Sequence, residues 1–564
     1  MNRRLAGLCA AFTLASSACG GGSGSGAAPP PAKTASKGTG QIAFSVLVPL
    51  KPAPSAARRK PAYISPATQS VSFQVGTSAV QVIALTLGSA TCPLGPNGYT
   101  CTAYANVPAG NEEPLTIDTY ATTDGTGAVL SENTIMVTVI AGEVNPVTVS
   151  LNGVAASLAV FVTPTALPRC VPTNLTATWS ALDAAGYTIV GPGTIVNASG
   201  TPVAPTLAVS DAVHFTVGAQ TGNSWAVSYN GGVGASPVTF SVSNAGVTTG
   251  SAPVTVGPAL LLFATEANAV AMFAPPYTSA PTVISNSVSN PVQVLVSSTC
   301  TLFIANANAN FGTTVTAYAP PYTGAPIATM SASGVVDAAL TPAGNIFILT
   351  AYPGDNVIEY APPYTGLPVA TFSFFEADIS VPTHLAVDPS NDVFVAGSNA
   401  FTGGNTLAMF NPPYSGAPTP ISGTNNPQRM LVQSGTNDLF VTNLTSPQTV
   451  YAPPYTAAPF ASIAQGANID SAGMAFDAAN DLFVAFSGSS TVVEYAPPYT
   501  AGPLRTISSG LIDPVNVAVD PSTGNLFVAN LETSQVTAYA PPYTGAPFVT
   551  LAVPGTNGAL AISP

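Results

Sequence analysis

Chemistry needs side chains that ionise, donate protons or hold metals, and this 564-residue chain is sparing with them, since charged residues make up 6%. Alignment on segments of the LAVDP type in the C-terminal half brings Gln293, Asp337, His384, Arg429, Gly473, Asn516 and Ala559 to one position. In a strand, residues two apart share a face. The same face therefore carries Leu295, Ala339, Ala386, Leu431, Ala475, Ala518 and Ala561. Beyond these come Ser297, Thr341, Asp388, Gln433, Asp477, Asp520 and Ser563. His384 and Arg429 come from successive segments. A cationic pair in an acidic protein suits a carboxylate or other anion, with the guanidinium making a two-pronged contact. Asp337, one segment earlier, either joins the site or merely neutralises the pair. Gln293, Asp337, His384, Arg429 and Asn516 are thus the candidate ligand-binding residues. The chain's two histidines, His214 and His384, lie far apart, and it has no GxSxG turn, Walker loop, dinucleotide fingerprint or paired Cys/His zinc spacing. No catalytic residue, metal ligand or cofactor is expected.

The elements that must hold these residues are set by a repeat. Pro-Pro-Tyr recurs seven times, with tyrosines at Tyr277, Tyr322, Tyr364, Tyr414, Tyr455, Tyr499 and Tyr543 and spacings of 45, 42, 50, 41, 44 and 44 residues. A period in this range marks propellers and other arrays. Each unit reads as four short strands separated by turn formers, as in VNVAVD, NLFVAN, QVTAY and FVTLA. Proline cannot donate to a ladder, so the paired prolines belong in the connection between strands three and four, with the tyrosine against the sheet edge. Phenylalanines such as Phe303, Phe347 and Phe527 recur in strand two, and rings such as Tyr318, Tyr360 and Tyr539 in strand three, to fill the space between sheets. The first unit lacks a strand one and the chain ends on GALAISP, which resembles one. That last strand is expected to complete the first sheet and close seven four-stranded blades, with strand one innermost and the Asp337 ring at one mouth of the channel.

HLAVDPSNDVFVAG (residues 384–397), VNVAVDPSTGNLFVAN (515–530) and DLFVTN (438–443) resemble NHL-type and YVTN-type β-propeller repeats. The resemblance covers residues 257–564 and implies a fold rather than a function. It also implies a rival activity. Propeller hydrolases of the gluconolactonase-like class hold a divalent metal in the channel with a glutamate, asparagines and an aspartate. Asp337 and Asn516 would fit such a set, but no glutamate falls in the three rings.

Residues 1–19 read as an export signal: Arg3 and Arg4, a short apolar run, then Ser-Ser-Ala-Cys ending at Cys19. This is similar to a bacterial lipoprotein box, with Ser16 where leucine is usual, and implies lipidation of Cys19. Gly20, not an aspartate, follows, which implies the outer membrane where there is one. Residues 20–40 are a Gly/Ser/Pro linker. Residues 41–153 and 154–256 carry strand-like runs expected to form two β-sandwich domains. The first resembles prealbumin-like modules and the second the immunoglobulin type. Trp179, Trp225 and His214 sit in such runs and are expected to be structural. Cys92 and Cys101 bracket a turn-rich loop and are expected to pair in an exported protein. Cys170 and Cys300 either pair across a domain junction or stay free.

Eight of the 11 basic residues lie in the first 60 positions, and all 24 acids lie beyond them. An acidic body argues against nucleic acid. The expected fold is therefore all-β, a seven-bladed propeller after two sandwiches. The expected function is a non-catalytic surface-exposed binding or scaffold lipoprotein, exported and lipid-anchored to the outer membrane or cell surface, or secreted. Its expected partners are the membrane, through the lipid, and a protein, a glycan or a small anionic ligand. A monomer is expected.

Overall fold

The computed structural model describes residues 38–50, 64–190, 194–234, 236–307, 314–400, 404–444, 447–463 and 471–564, with backbone alone at 471 and 472. The expected export signal, Cys19 and nearly all of the linker lie outside these residues. The chain divides into two compact units, one of residues 1–156 with 182–203, the other of residues 157–181 with 204–564.

The first unit holds two sheets. One contains the strands Gly98–Pro108, Thr39–Pro49 and Val144–Val147, the other Val129–Val139, Gly110–Tyr120 and Ser70–Val75. Alternation along Thr39–Pro49 buries Ile42, Phe44, Val46 and Val48, and these join Phe73, Leu115 and Ile117 of the other sheet in one core. Cys92 and Cys101 are disulfide-bonded within that core. The short strand Ile195–Val196 pairs with Asn152–Val154, so part of the segment expected to belong to the second domain contributes to this unit.

The second unit begins with one continuous sheet, in the order Thr206–Val209, Val238–Asn244, Val247–Gly257, Ser157–Thr163, Thr173–Leu182, Ser224–Tyr229 and Phe215–Thr221. Its ends fold over one another, since Phe215 meets Phe240 edge-on at 5.6 Å. Trp179 and Trp225 are buried, and His214 is held by Asp211 at 2.8 Å. Cys170 and Cys300 are bonded, joining the loop before Thr173–Leu182 to the sheets that follow.

Those sheets form a propeller-like all-β array. Among the described residues there are seven, each of four antiparallel strands. The first is completed by the chain's last strand: Leu560–Ile562 pairs with Leu262–Thr265, and Ser563 exchanges backbone hydrogen bonds with Leu261 through its N–H and hydroxyl. The first strands of successive sheets pack side by side around a ring, and Pro291–Val296 and Pro514–Val519 both neighbour Leu560–Ile562. Second strands such as Leu302–Asn306 and Leu526–Asn530 are buried at every residue. One face of each packs on the sheet before and the other on the sheet after, which is why LFVAN reads as an unbroken apolar run. Phe303 thus joins Ile346 and Ile348 of the next sheet, while Leu302 and Ile304 join Phe263 of the previous one. Each such phenylalanine contributes roughly 1.5–3 kcal/mol by burial.

The tyrosines of Pro-Pro-Tyr do not lie on a sheet edge as expected. They are the stitches between sheets. Each N–H closes a turn onto the carbonyl three residues back, and each Tyr has a positive φ of 59–65°. The ring so aimed meets the strand-two phenylalanine of the preceding sheet edge-on, 4.8–6.0 Å between centroids. All seven pairs exist, including Tyr277 on Phe527 across the closing seam. Every hydroxyl donates to a carbonyl in its own sheet, 2.7–2.9 Å away, at the residue leading into strand two, as Tyr364 does to Gly344. Left-handed backbone is costly for so bulky a residue, so these contacts must hold it there.

Candidate functional site: the channel-side ring

The first strand of each sheet is an edge strand, so half of its N–H groups have no ladder partner. In the six sheets other than the closing one, the pairing with strand two also slips by one residue at the same place, just before or across the ring position. A bulge of this kind re-aims side chains. Gln293, Asp337, His384, Arg429 and Asn516 therefore sit at the slip, beside unpaired backbone donors.

Three of the five candidates come together. Asp337 is 2% exposed and receives three N–H groups: Leu385 N to Oδ2 at 2.9 Å, Gln293 Nε2 to Oδ1 at 3.1 Å, and His384 Nε2 to Oδ2 at 3.2 Å. His384 is 8% exposed, and its Nδ1 accepts the N–H of Met430 at 3.3 Å. That bond places the imidazole proton on Nε2, where it faces Asp337. Burial is the main reason that the pKa of His384 falls to about 4. Asp337 opposes the shift and Arg429 adds to it. The histidine is therefore neutral at pH 7. The cationic His384–Arg429 pair expected from the sequence does not form, because burial disfavours the imidazolium and both ring nitrogens serve the backbone and the carboxylate.

Arg429 is half-buried, and its backbone N–H goes to Thr442 Oγ1 at 2.9 Å. No ion pair to its guanidinium occurs among the described residues, which leaves it as the free positive charge of the ring. Gln293 and Asn516 each turn a side-chain oxygen onto the next residue's N–H, at 3.1 and 2.9 Å. Gly473 gives Asn516 its room, since a Cβ there would collide with the Asn516 carboxamide and Cα.

Most of the third ring caps turns. Asp388, Asp477 and Asp520 turn Oδ1 onto N–H groups two to four residues on, capping the turns between strands one and two. Ser297 and Thr341 do the same with hydroxyls. Two members also reach the stitching tyrosines, Gln433 donating to Tyr499 and Asp388 accepting from Tyr455. The sequence reading missed Asn557, whose side chain bonds Thr265 and the Pro291 carbonyl across the seam. It also missed Asn306, Asn443 and Asn530, which end second strands and receive the N–H of Ser289, Asn425 and Ile512. The repeated final Asn of LFVAN was the available signal.

The ring does not fit a divalent metal. Asp337's oxygens are committed to three donors, and among the described residues no group of three or more His, Cys, Asp or Glu side chains could hold an ion. Nor is His384 a general base, because its acceptor nitrogen is occupied by a backbone donor.

No family model matches this chain, and no curated protein does. Among solved structures it is similar to the periplasmic gluconolactonase of Pseudomonas aeruginosa (16% identity, TM-score 0.45, covering 54% of this chain and 99% of that one). It is also similar to a putative 6-phosphogluconolactonase from Bacteroides fragilis (12%, 0.42, 54% and 98%) and to virginiamycin B lyase from Staphylococcus aureus (11%, 0.38, 48% and 94%). Likeness at this level carries no functional argument. No helix among the described residues is long and apolar enough to cross a membrane.

Proposed function

We propose that this chain is a non-catalytic binding or scaffold lipoprotein of the cell envelope. In this reading a closed seven-bladed propeller of NHL type follows prealbumin-like and immunoglobulin-like sandwich modules. Cys19 carries the lipid, and the protein sits at the outer membrane or cell surface. What carries the non-catalytic part is the state of the ring: its acid and its imidazole are spent on each other and on orphan backbone donors of adjacent sheets. The two disulfides support an oxidising, exported setting.

The ligand in this reading is a small anion or an acidic glycan, held at the ring by Arg429, whose guanidinium has no ion-pair partner among the described residues. The test is binding of a panel of sugar acids and acidic oligosaccharides to the purified full chain. Arg429→Ala should abolish whatever binding is found, and Asn516→Ala should weaken it. Binding that survives Arg429→Ala refutes the site. Stoichiometric divalent metal together with lactone hydrolysis refutes the non-catalytic reading and favours a hydrolase of the gluconolactonase-like class. Cys19→Ser should move the protein from the membrane to the soluble fraction, and a wild-type chain without an acyl group by mass spectrometry removes the anchor.

A further inference from the structure

One surface feature is as regular as the core and has no structural employment. After every Pro-Pro-Tyr comes a hydroxyl: Thr278, Thr323, Thr365, Ser415, Thr456, Thr500 and Thr544. All seven are exposed. None makes a hydrogen bond through its hydroxyl among the described residues, in contrast to the tyrosine before it. The next two positions drift, through Ser-Ala, Gly-Ala, Gly-Leu, Ala-Ala and Ala-Gly, and then a proline returns every time. Six of the seven are threonine, whose branching suits extended backbone. Valine and isoleucine share that branching and never appear, while unbranched Ser415 does. The constant feature is the hydroxyl, held in the motif Tyr-(Thr/Ser)-x-x-Pro.

The surroundings say what such hydroxyls would be for. Four residues further on, Ile327, Val369, Phe460, Leu504 and Phe548 immediately precede the outermost strands and remain about half exposed. Leu367 is 91% exposed. Paired exposed prolines flank most of the turns. An apolar rim of this kind is normally solubilised by charge, but only 6% of this chain is charged. Hydroxyls among prolines and small residues are the composition of O-glycosylated stalks, and this inference rests on the export proposed above. The turns that carry them are fixed by the buried tyrosine, so the hydroxyls stand at regular intervals around the face opposite the Asp337 ring.

We propose that these seven hydroxyls are O-glycosylation sites and that the sugars cover the apolar rim. The donor is a sugar activated as a nucleotide or lipid phosphate ester. Oγ attacks the anomeric carbon, and the C1–Oγ bond forms as the bond from C1 to the phosphate oxygen breaks. The phosphate leaves with the electron pair, and the hydroxyl proton passes to a base of the transferase. The modification is independent of the ligand reading at Arg429.

The test is peptide mapping by mass spectrometry of the full chain purified from the cells that naturally make it. Hexose-class additions are expected on the peptides spanning the seven motifs, and alkaline β-elimination should remove them. Unmodified masses there, phosphate instead of sugar, or sugars only elsewhere overturn the proposal. In a host lacking the transferase, the chain with the six threonines changed to Val and Ser415→Ala should melt at the wild-type temperature. A drop of several degrees shows the hydroxyls to be structural and overturns it as well.

Discussion

Tyr364→Phe tests the stitching between sheets, because Tyr364 does two separable things. Its hydroxyl donates to Gly344 O at 2.7 Å, and its ring meets Phe303 of the preceding sheet at 4.9 Å and 86°. The site is 5% exposed. Removing the hydroxyl leaves a carbonyl without its donor, a loss of about 1 kcal/mol, rising to ~3 if no water replaces it. Tyr364→Ala also deletes the ring and leaves a cavity between two sheets, a loss of roughly 3–5 kcal/mol. A double-mutant cycle of Phe303→Leu with Tyr364→Leu should return a coupling of about 0.5–1.5 kcal/mol, the part owed to the edge-on geometry rather than to area. The assay is urea unfolding of the full chain followed by tryptophan-independent circular dichroism, with the slope checked for constancy. Equal costs for Phe and Ala, or zero coupling with Phe303, would refute the stitch. The same geometry predicts a loss of stability for Tyr543→Ala. Tyr543 packs on Phe483 and donates to Gly524, so that change cuts a seam.

His384 should make the fold acid-sensitive. Its folded pKa, about 4, lies below the unfolded value near 6.5, so the unfolded chain binds more protons between these limits. Stability from this group is complete above pH 6.5 and falls by roughly 3 kcal/mol as pH drops to 4. His384→Gln should flatten that part of the melting-temperature profile, and an unchanged slope counts against a neutral buried imidazole. Deleting Gly558–Pro564 strips the inner strand from the first sheet and exposes two edges. Broadened unfolding or aggregation is expected, and an unchanged melting transition would remove the closure argument. Cys170→Ser with Cys300→Ser opens a loop of 130 residues and should cost about 2–5 kcal/mol in the oxidised protein, while wild type and variant should unfold alike once both are reduced.

The repeat, the four strands per unit and the return of the last strand to the first sheet were legible because they rest on local signals. Apolar runs, turn residues and the period are written in consecutive residues. So was the ring position, since equal register in equal strands puts Gln293, Asp337, His384, Arg429 and Asn516 at one level. What those side chains do there was not legible. A sequence shows that His384 and Arg429 are cationic types. It does not show that the slip in pairing turns His384 inward, where burial and the N–H of Met430 keep it neutral. Asp388 and Asp520 look like channel residues by alternation, yet they cap the turns that follow, because a short aspartate reaches its own backbone before it reaches a partner. The pairing of Cys170 with Cys300, and of each tyrosine with a phenylalanine 59–67 residues earlier or, for Tyr277, 250 residues later, likewise needed the packed chain. Local sequence determines which strands form. Desolvation and orphaned backbone donors, which exist only after sheets have met, decide what the polar residues between them become.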